Sequence, residues 1–473
     1  MDAAGEGDSG GMCFPYNVLL DILRRLPWRD VAASKCVCRL WRDILGDHGL
    51  SLERCFPRRA FPGLFINKFG CGSDTSFFAP SSTRFRLPFH LDDDTTVCQS
   101  CNGLLLLDKC GHYYVLNPAT ARCTHLPRPT TPWCSFAASL AFDPAVSLHY
   151  HVFLFQKGGM LKVEEEGDVP PLEQVQAEGV EEPTEKVLSM LVYSSRTCHW
   201  ENREFAPGRC APGHLYDVVA KPPKSYGGAF CSCEYWRESL YMHCHNSVLL
   251  ILRPTEGTYD MVQLPGETCR AKSLYDLPRN SVLASYERGV HYVASSGSLL
   301  RLWMLTESVD GQLSWTLAHD ANLNLHAHMI RTIKTQFEVT WAIVESTNGP
   351  VSLTDDDVED EKENESDGDD SKYSWDSDED NFIDVVERAG HHDMSIRDVS
   401  CDIMGFHPYK NALILMLNGA VVVYHLDTLR MQYLSNYYQL IKDTVQAGCG
   451  VYDSFTYRPC YEDVLIEKFS MSS

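Results

Sequence analysis

The sequence predicts an α+β multidomain chain, with a small N-terminal helical module followed by an all-β propeller of about six blades. Three observations carry that prediction. Helical spacing of apolar residues is confined to residues 14–47, strand-sized runs take over from about residue 61, and those runs recur in units of roughly 40 to 50 residues with about four strands each. The 473 residues are 44% hydrophobic and 22% charged, the balance of a chain that folds.

In the module, Val18, Leu19, Ile22, Leu23 and Leu26 recur at helical spacing. Pro27 ends that helix, since proline donates no hydrogen bond and restrains the residue before it. Asp30 can cap a second helix, in which Val31, Cys38, Trp41 and Leu45 follow one face while Val37, Leu40 and Ile44 widen it. A helical unit of about 40 residues lies near the lower limit for independent folding. Its surplus apolar surface is therefore expected to be covered by the rest of the chain or by another protein.

The all-β region has one repeat that reads clearly. Ser100-Cys101-Asn102-Gly103 leads into strands over 104–107 and 113–116, then Asn117-Pro118-Ala119-Thr120 and a strand over 123–127. Weaker copies place strands around Cys231 and over 239–243, 247–252 and 259–264, then over 289–294, 299–305 and 313–317. A further copy has strands over 412–417, 420–426 and 431–434, with an Asn418-Gly419 hairpin turn. Residues 136–205 supply another, and the two ends of the region, 61–88 and 452–465, are expected to combine and close the ring.

The formal charge of −23 is local. Residues 164–185 hold nine acidic and no basic residues, and residues 355–380 hold fifteen acidic residues against Lys362 and Lys372. These runs carry −9 and −13, so −22 of the −23, and the remainder is close to neutral. Both read as acidic disordered insertions, at 164–185 and 355–390, within the propeller. The body has no basic stripe of the kind a nucleic-acid binder uses. The longest apolar stretches, such as 412–417 and 248–252, are strand-sized, well short of the roughly 20 residues that span a bilayer. Nineteen scattered cysteines and no N-terminal apolar signal fit a reducing cytoplasmic or nuclear compartment.

Motifs for chemistry are thin. Cys98 and Cys101 form a CxxC, with Cys110 and His112 nearby, but no second CxxC follows at ribbon spacing. Strand alternation sends neighbours among Cys231, Cys233, His243, Cys244 and His245 to opposite faces. Both groups read as packed thiols and rings, so no metal or cofactor is expected. No phosphate-cradling loop, nucleophile elbow or HExxH occurs, and no catalytic residues are assigned.

Phe14-Pro15, the run 19–23, Leu26-Pro27, Asp30-Val31 and the run Val37-Cys38-Arg39-Leu40-Trp41-Arg42 together resemble the F-box motif. The unit 100–127 resembles the F-box-associated, kelch-like propeller domain of plant F-box proteins. The resemblance implies a three-helix F-box over 12–57 after a disordered 1–11, and a propeller over 60–470. It implies that Phe14, Pro15, Leu19, Ile22, Leu23, Leu26, Pro27, Val31, Val37 and Trp41 form the module's core or bind an SKP-type adaptor, which links to cullin and RING subunits. The expected role is the non-catalytic substrate receptor of a ubiquitin ligase, with Trp133, Tyr226 and Trp236 near blade-connecting loops as candidate anchors for a protein substrate. The competing readings are an interaction protein that holds basic partners through its acidic loops, and a propeller-based metal enzyme.

Overall fold

The computed structural model describes residues 16–25, 62–69, 73–81, 91, 95–129, 136–144, 146–156, 187–210, 232–244, 248–266, 281–286, 289–333, 339–344, 381–383, 399–436, 440, 450–462 and 464–465. Residues 34, 37, 40, 41 and 44 are also described. The chain divides into two compact units, Met1–Ala60 and Phe61–Ser473.

In the first unit, α1 (Tyr16–Arg25) buries Leu19, Leu20 and Leu23 against Ile44 and the half-buried Trp41. The three leucines fall at i, i+1 and i+4, one stripe of a helix. The expected three-helix module is not shown, because its second half is described only at single residues. Two helices occur among the described residues of the whole chain, and the other one, α2 (Asn324–Ile333), lies in the second unit. This helix corrects the expectation that helical spacing is confined to residues 14–47. α2 exists because Asn322 Oδ1 accepts the Asn324 amide at 3.0 Å, capping the first turn, while Leu323, Ala327 and Ile330 are buried on one stripe.

The second unit is β-structure in a propeller-like ring. One sheet runs β19-β2-β1-β25, from β1 (Leu64–Phe69), β2 (Ser73–Pro80), β19 (Trp341–Val344) and β25 (Gly450–Thr456). The next is β3 (Thr95–Cys101), β4 (Leu104–Lys109), β5 (His112–Asn117) and β6 (Arg122–His125), in sequence order. A third holds β15 (Ser281–Tyr286), β16 (Gly289–Ser296), β17 (Leu299–Glu307) and β18 (Leu313–Asn322). A fourth orders β20 (Phe382–Ile383) beside β24 (Met431–Asn436), β23 (Ala420–His425), β22 (Ala412–Leu417) and β21 (Cys401–Phe406).

The fifth sheet has eight strands. Its halves are β7 (Phe136–Ala141), β8 (His151–Gln156), β9 (Leu188–Ser194), β10 (His199–Pro207) and β11 (Cys233–Trp236), β12 (Ser239–Cys244), β13 (Val248–Arg253), β14 (Thr258–Gln263). The described strands thus form five hydrogen-bonded sheets, which corrects the expectation of about six separate blades. The cause is local: β10 overruns its own half and pairs parallel with β14, Ala206 opposite Thr258 and Pro207 opposite Tyr259. Asp260, buried beside this junction, accepts the Cys210 amide at 2.8 Å and pairs with Arg253 at 3.1 Å.

Ring closure follows the expected route. β1 pairs antiparallel with β25, Leu64 opposite Thr456. The innermost strands then meet in turn: β3 against β7, β7 against β11, β11 against β15, β15 against β21, β21 against β25, and β25 against β3. Buried polar side chains stitch these meetings together. Asn67 on β1 donates to the Val97 carbonyl at 2.8 Å and accepts the Val97 amide at 3.1 Å, while Thr75 donates to Asn67 Oδ1 at 2.8 Å. Gln99 on β3 accepts the Leu140 amide at 2.6 Å and donates to the Cys233 carbonyl at 3.1 Å. Ser295 donates to the Cys401 carbonyl and Ser454 to the Met404 carbonyl, each at 2.7 Å. Such bonds fix how each sheet faces the next, since breaking one strands a buried polar group.

Of the two acidic insertions, residues 164–185 lie outside the described residues. Of 355–390, only Asn381, Phe382 and Ile383 are described, and there the expectation of disorder is corrected: Phe382 and Ile383 pair with Gln432 and Met431. Ile383 is buried, and Arg430 covers the Phe382 ring at 3.8 Å, so these two apolar residues anchor the end of that run. No helix among the described residues is long and apolar enough to cross a membrane.

Candidate functional site

Two surfaces have the chemistry to dock a partner. The first belongs to the N-terminal unit. α1 turns Tyr16, Val18 and Ile22 outward, 44%, 45% and 36% exposed, and Val37 and Leu40 are exposed on the segment that follows. Aliphatic side chains left in water on a unit this small mark a surface built to be covered. Of the residues singled out from sequence, Leu19 and Leu23 are buried core, Trp41 is half-buried against that core, and Ile22 and Val37 face solvent. Phe14, Pro15, Leu26, Pro27 and Val31 lie outside the described residues.

The second surface is the end of the ring where inner strands turn back. At Asn102-Gly103 both residues have positive φ, 46° and 92°, the mirror-image turn that matches strand twist. A side chain at Gly103 would run into Cys460, so the turn and the segment after β25 fit only with glycine there. Asn102 also donates to the Phe142 carbonyl at 2.7 Å, tying this turn to the one beyond β7. Beyond β11, the turn Arg237-Glu238 has φ of 46° and 60° without glycine or asparagine, a strained pair. It holds the Arg237 guanidinium 4.4 Å from the ring of half-buried Trp236. Trp236 in turn packs on the cluster that includes Tyr241, Ile251 and Tyr292. Beyond β21, Tyr409 has Arg458 over its ring at 5.8 Å. Trp133 and Tyr226 lie outside the described residues.

Between β11 and β15, Glu234 is half-buried and accepts a hydrogen bond from Ser285 Oγ at 3.0 Å. Burial pushes its carboxyl up to about 8, against a smaller downward pull from the Ser285 hydrogen bonds. Neither the strained turn nor this carboxyl carries a sequence signal, because each acquires its meaning from strands far along the chain.

The buried thiols are packing groups. Cys101 is buried with its Sγ 3.4 Å from the Phe142 carbonyl, and burial pushes its thiol well up; Cys244 is pushed up to about 12 for the same reason. Cys98 is half-buried and Cys110 exposed. His112 instead meets His125 at 3.3 Å and the Arg128 guanidinium. Cys231 and His245 lie outside the described residues.

Comparison with known proteins points one way. The profile of the family described as "F-box protein At3g26010-like, beta-propeller" matches residues 71–338, and that of the F-box domain matches residues 12–52. F-box protein At3g07870 of Arabidopsis thaliana is 31% identical over 140 residues, covering 27% of this chain and 33% of that protein. F-box protein At5g07610 of the same plant is 31% identical over 156 residues, covering 29% of this chain and 36% of that protein. The matched stretch thus spans about a third of those relatives' length. Among solved structures, the RRP9 WD40 repeats align at 11% identity over 47% of this chain and 53% of that one, with a TM-score of 0.23, too low to carry an argument.

Proposed function

The chain belongs to the F-box protein At3g26010-like β-propeller family, and on that premise we propose that it is the substrate-recognition subunit of an SKP–cullin–F-box ubiquitin ligase. In this reading the module over 12–57 docks an SKP-type adaptor, and the kelch-like ring over 60–470 holds a protein substrate. The chain itself makes and breaks no covalent bond. Transfer gains rate because the receptor raises the effective concentration of substrate beside the ubiquitin-charged enzyme.

The observation that carries the reading is the F-box match over 12–52 coinciding with the outward apolar residues Tyr16, Val18, Ile22, Val37 and Leu40. Leu19 and Leu23 hold the module together, Ile22 and Val37 meet the adaptor, and Trp236 with its Arg237 partner is an anchor for substrate. Aromatic and arginine side chains are the usual anchors of protein interfaces. The work takes place in the cytoplasm or nucleus, where adaptor and free thiols coexist.

The test uses the full chain. Ile22→Gln with Val37→Gln is expected to reduce capture of a purified SKP-type adaptor at least about tenfold, while the ring melts as before. Undiminished capture by the double variant would overturn the docking assignment.

A further inference from the structure

A cleft of about 320 Å³ opens on the flank of the ring where β8, β9 and β10 come together. Because β7 to β10 are antiparallel neighbours, the connection 142–150 and the turn 195–198 emerge at the same edge of the sheet, and they form its lip. The two are tied to each other: the Ser195 amide donates to the Tyr150 carbonyl at 3.0 Å, and the Tyr150 amide donates to Ser195 Oγ at 2.9 Å. The lip is therefore held in shape before anything binds.

The lining is cationic in a chain of formal charge −23. Arg196, Arg203, His149 and His151 face a single carboxylate, Glu201. Glu201 is already engaged, since Arg203 reaches its Oε1 through both Nε and Nη2 at 2.6 Å. Arg196 has no acidic partner among the described residues. Hydroxyl groups complete the wall. Ser147 Oγ accepts the His149 amide at 3.0 Å, which leaves its proton to donate, and Ser194 and Thr197 stand beside it. Burial, then the nearby Arg203, hold His151 below its ordinary value.

The geometry points to an oxyanion site: the cleft takes a phosphoryl group, with Arg196 as the principal cation, His151 as a donor, and the hydroxyls of Ser147 and Thr197 completing the shell. Charge-assisted bonds of this kind favour phosphate over a spherical anion because donors converge on several oxygens. The volume equals about ten waters at roughly 30 Å³ each, room for the end of a phosphorylated side chain as well as for the free ion. This site is a property of the ring and stands whether or not the ligase reading does.

Full-length protein titrated with inorganic phosphate against chloride at equal ionic strength tests it. Saturable phosphate binding is expected, weakened at least about tenfold in Arg196→Gln and in Arg196→Gln with His151→Gln. Arg196 is exposed on a turn, so the single variant should melt with the wild type. A phosphoserine peptide and its unphosphorylated twin separate the sources. Tenfold tighter binding of the phosphopeptide than of free phosphate assigns the site to a modified protein, and equal binding assigns it to the ion. Absence of saturable binding by the wild type to both phosphate and phosphopeptide, or undiminished binding by the variants, overturns the proposal.

Discussion

The N-terminal unit and the ring treat their apolar side chains differently. Along α1 the three buried leucines are matched by Tyr16, Val18 and Ile22 facing water. Along β23 every residue from Ala420 to Tyr424 is buried, and most exposed aliphatics of the ring, among them Val146, Leu148, Val309 and Leu429, lie in connections outside its strands. The ring satisfies itself, layer against layer. Among the described residues of the module, buried and exposed apolar side chains stand side by side. Scattered exposed aliphatics are ordinary, whereas several on a unit of this size fit the proposed docking of a partner.

Substitutions can break that contrast. The largest effect is expected from Trp341→Ala, which empties a fully buried site beside Phe78 and should cost the ring about 3 to 5 kcal/mol in chemical denaturation. A cost near zero would mean the ring is not packed as described. Next, Asn67→Ala should cost about 2 to 3 kcal/mol, since it strands the Val97 amide and carbonyl and loses the bond from Thr75. Asn67→Asp should recover little, as a carboxylate cannot donate to the Val97 carbonyl.

Glu234 gives a smaller effect with a definite sign. Held up to about 8 in the fold, it keeps its proton where the unfolded chain has released it, so its contribution lowers stability as pH rises from about 4.5 to about 8. Glu234→Gln should therefore melt higher than the wild type near pH 8, with the gap closing toward pH 4.5; parallel melting curves across that range would remove the assignment. The smallest effect on folding is expected from Ile22→Gln with Val37→Gln, within about 0.5 kcal/mol, because neither side chain supports the core. If that pair cost as much as Trp341→Ala, the outward face would be core after all and the contrast would collapse.

Much of the ring was legible because its turns are written in residue chemistry. Asn418-Gly419, with φ of 49° and 73°, joins β22 and β23 as read, and the strands read over 412–417 and 431–434 fall within β22 and β24. β19 and β20 were not legible, whereas α2 was missed although Leu323, Ala327 and Ile330 stand at helical spacing. Trp341–Val344 is four residues long and becomes a strand only because β2 offers it an edge, and Phe382–Ile383 depends likewise on β24. The parallel contact of β10 with β14 has no local signature either, since it depends on where two outer strands meet in space. Of the candidate site, helical spacing grouped Val18, Leu19, Ile22 and Leu23, and only the structure divides them into buried Leu19 and Leu23 and exposed Val18 and Ile22. The cleft at Arg196 could not be read, because its lining converges from three strands and two turns.

The pairing of β1 with β25 also sets a clock. Leu64 and Thr456 are 456 − 64 = 392 residues apart, and at a synthesis rate of ~5–20 residues per second the first waits roughly 20 to 80 s for its partner to be made. Throughout that interval the ring has an open edge, while the whole of the N-terminal unit has already left the ribosome. On the proposed reading, an adaptor present during translation would thus meet the N-terminal unit before the ring could close, so the order of assembly is written into where the last strand lies.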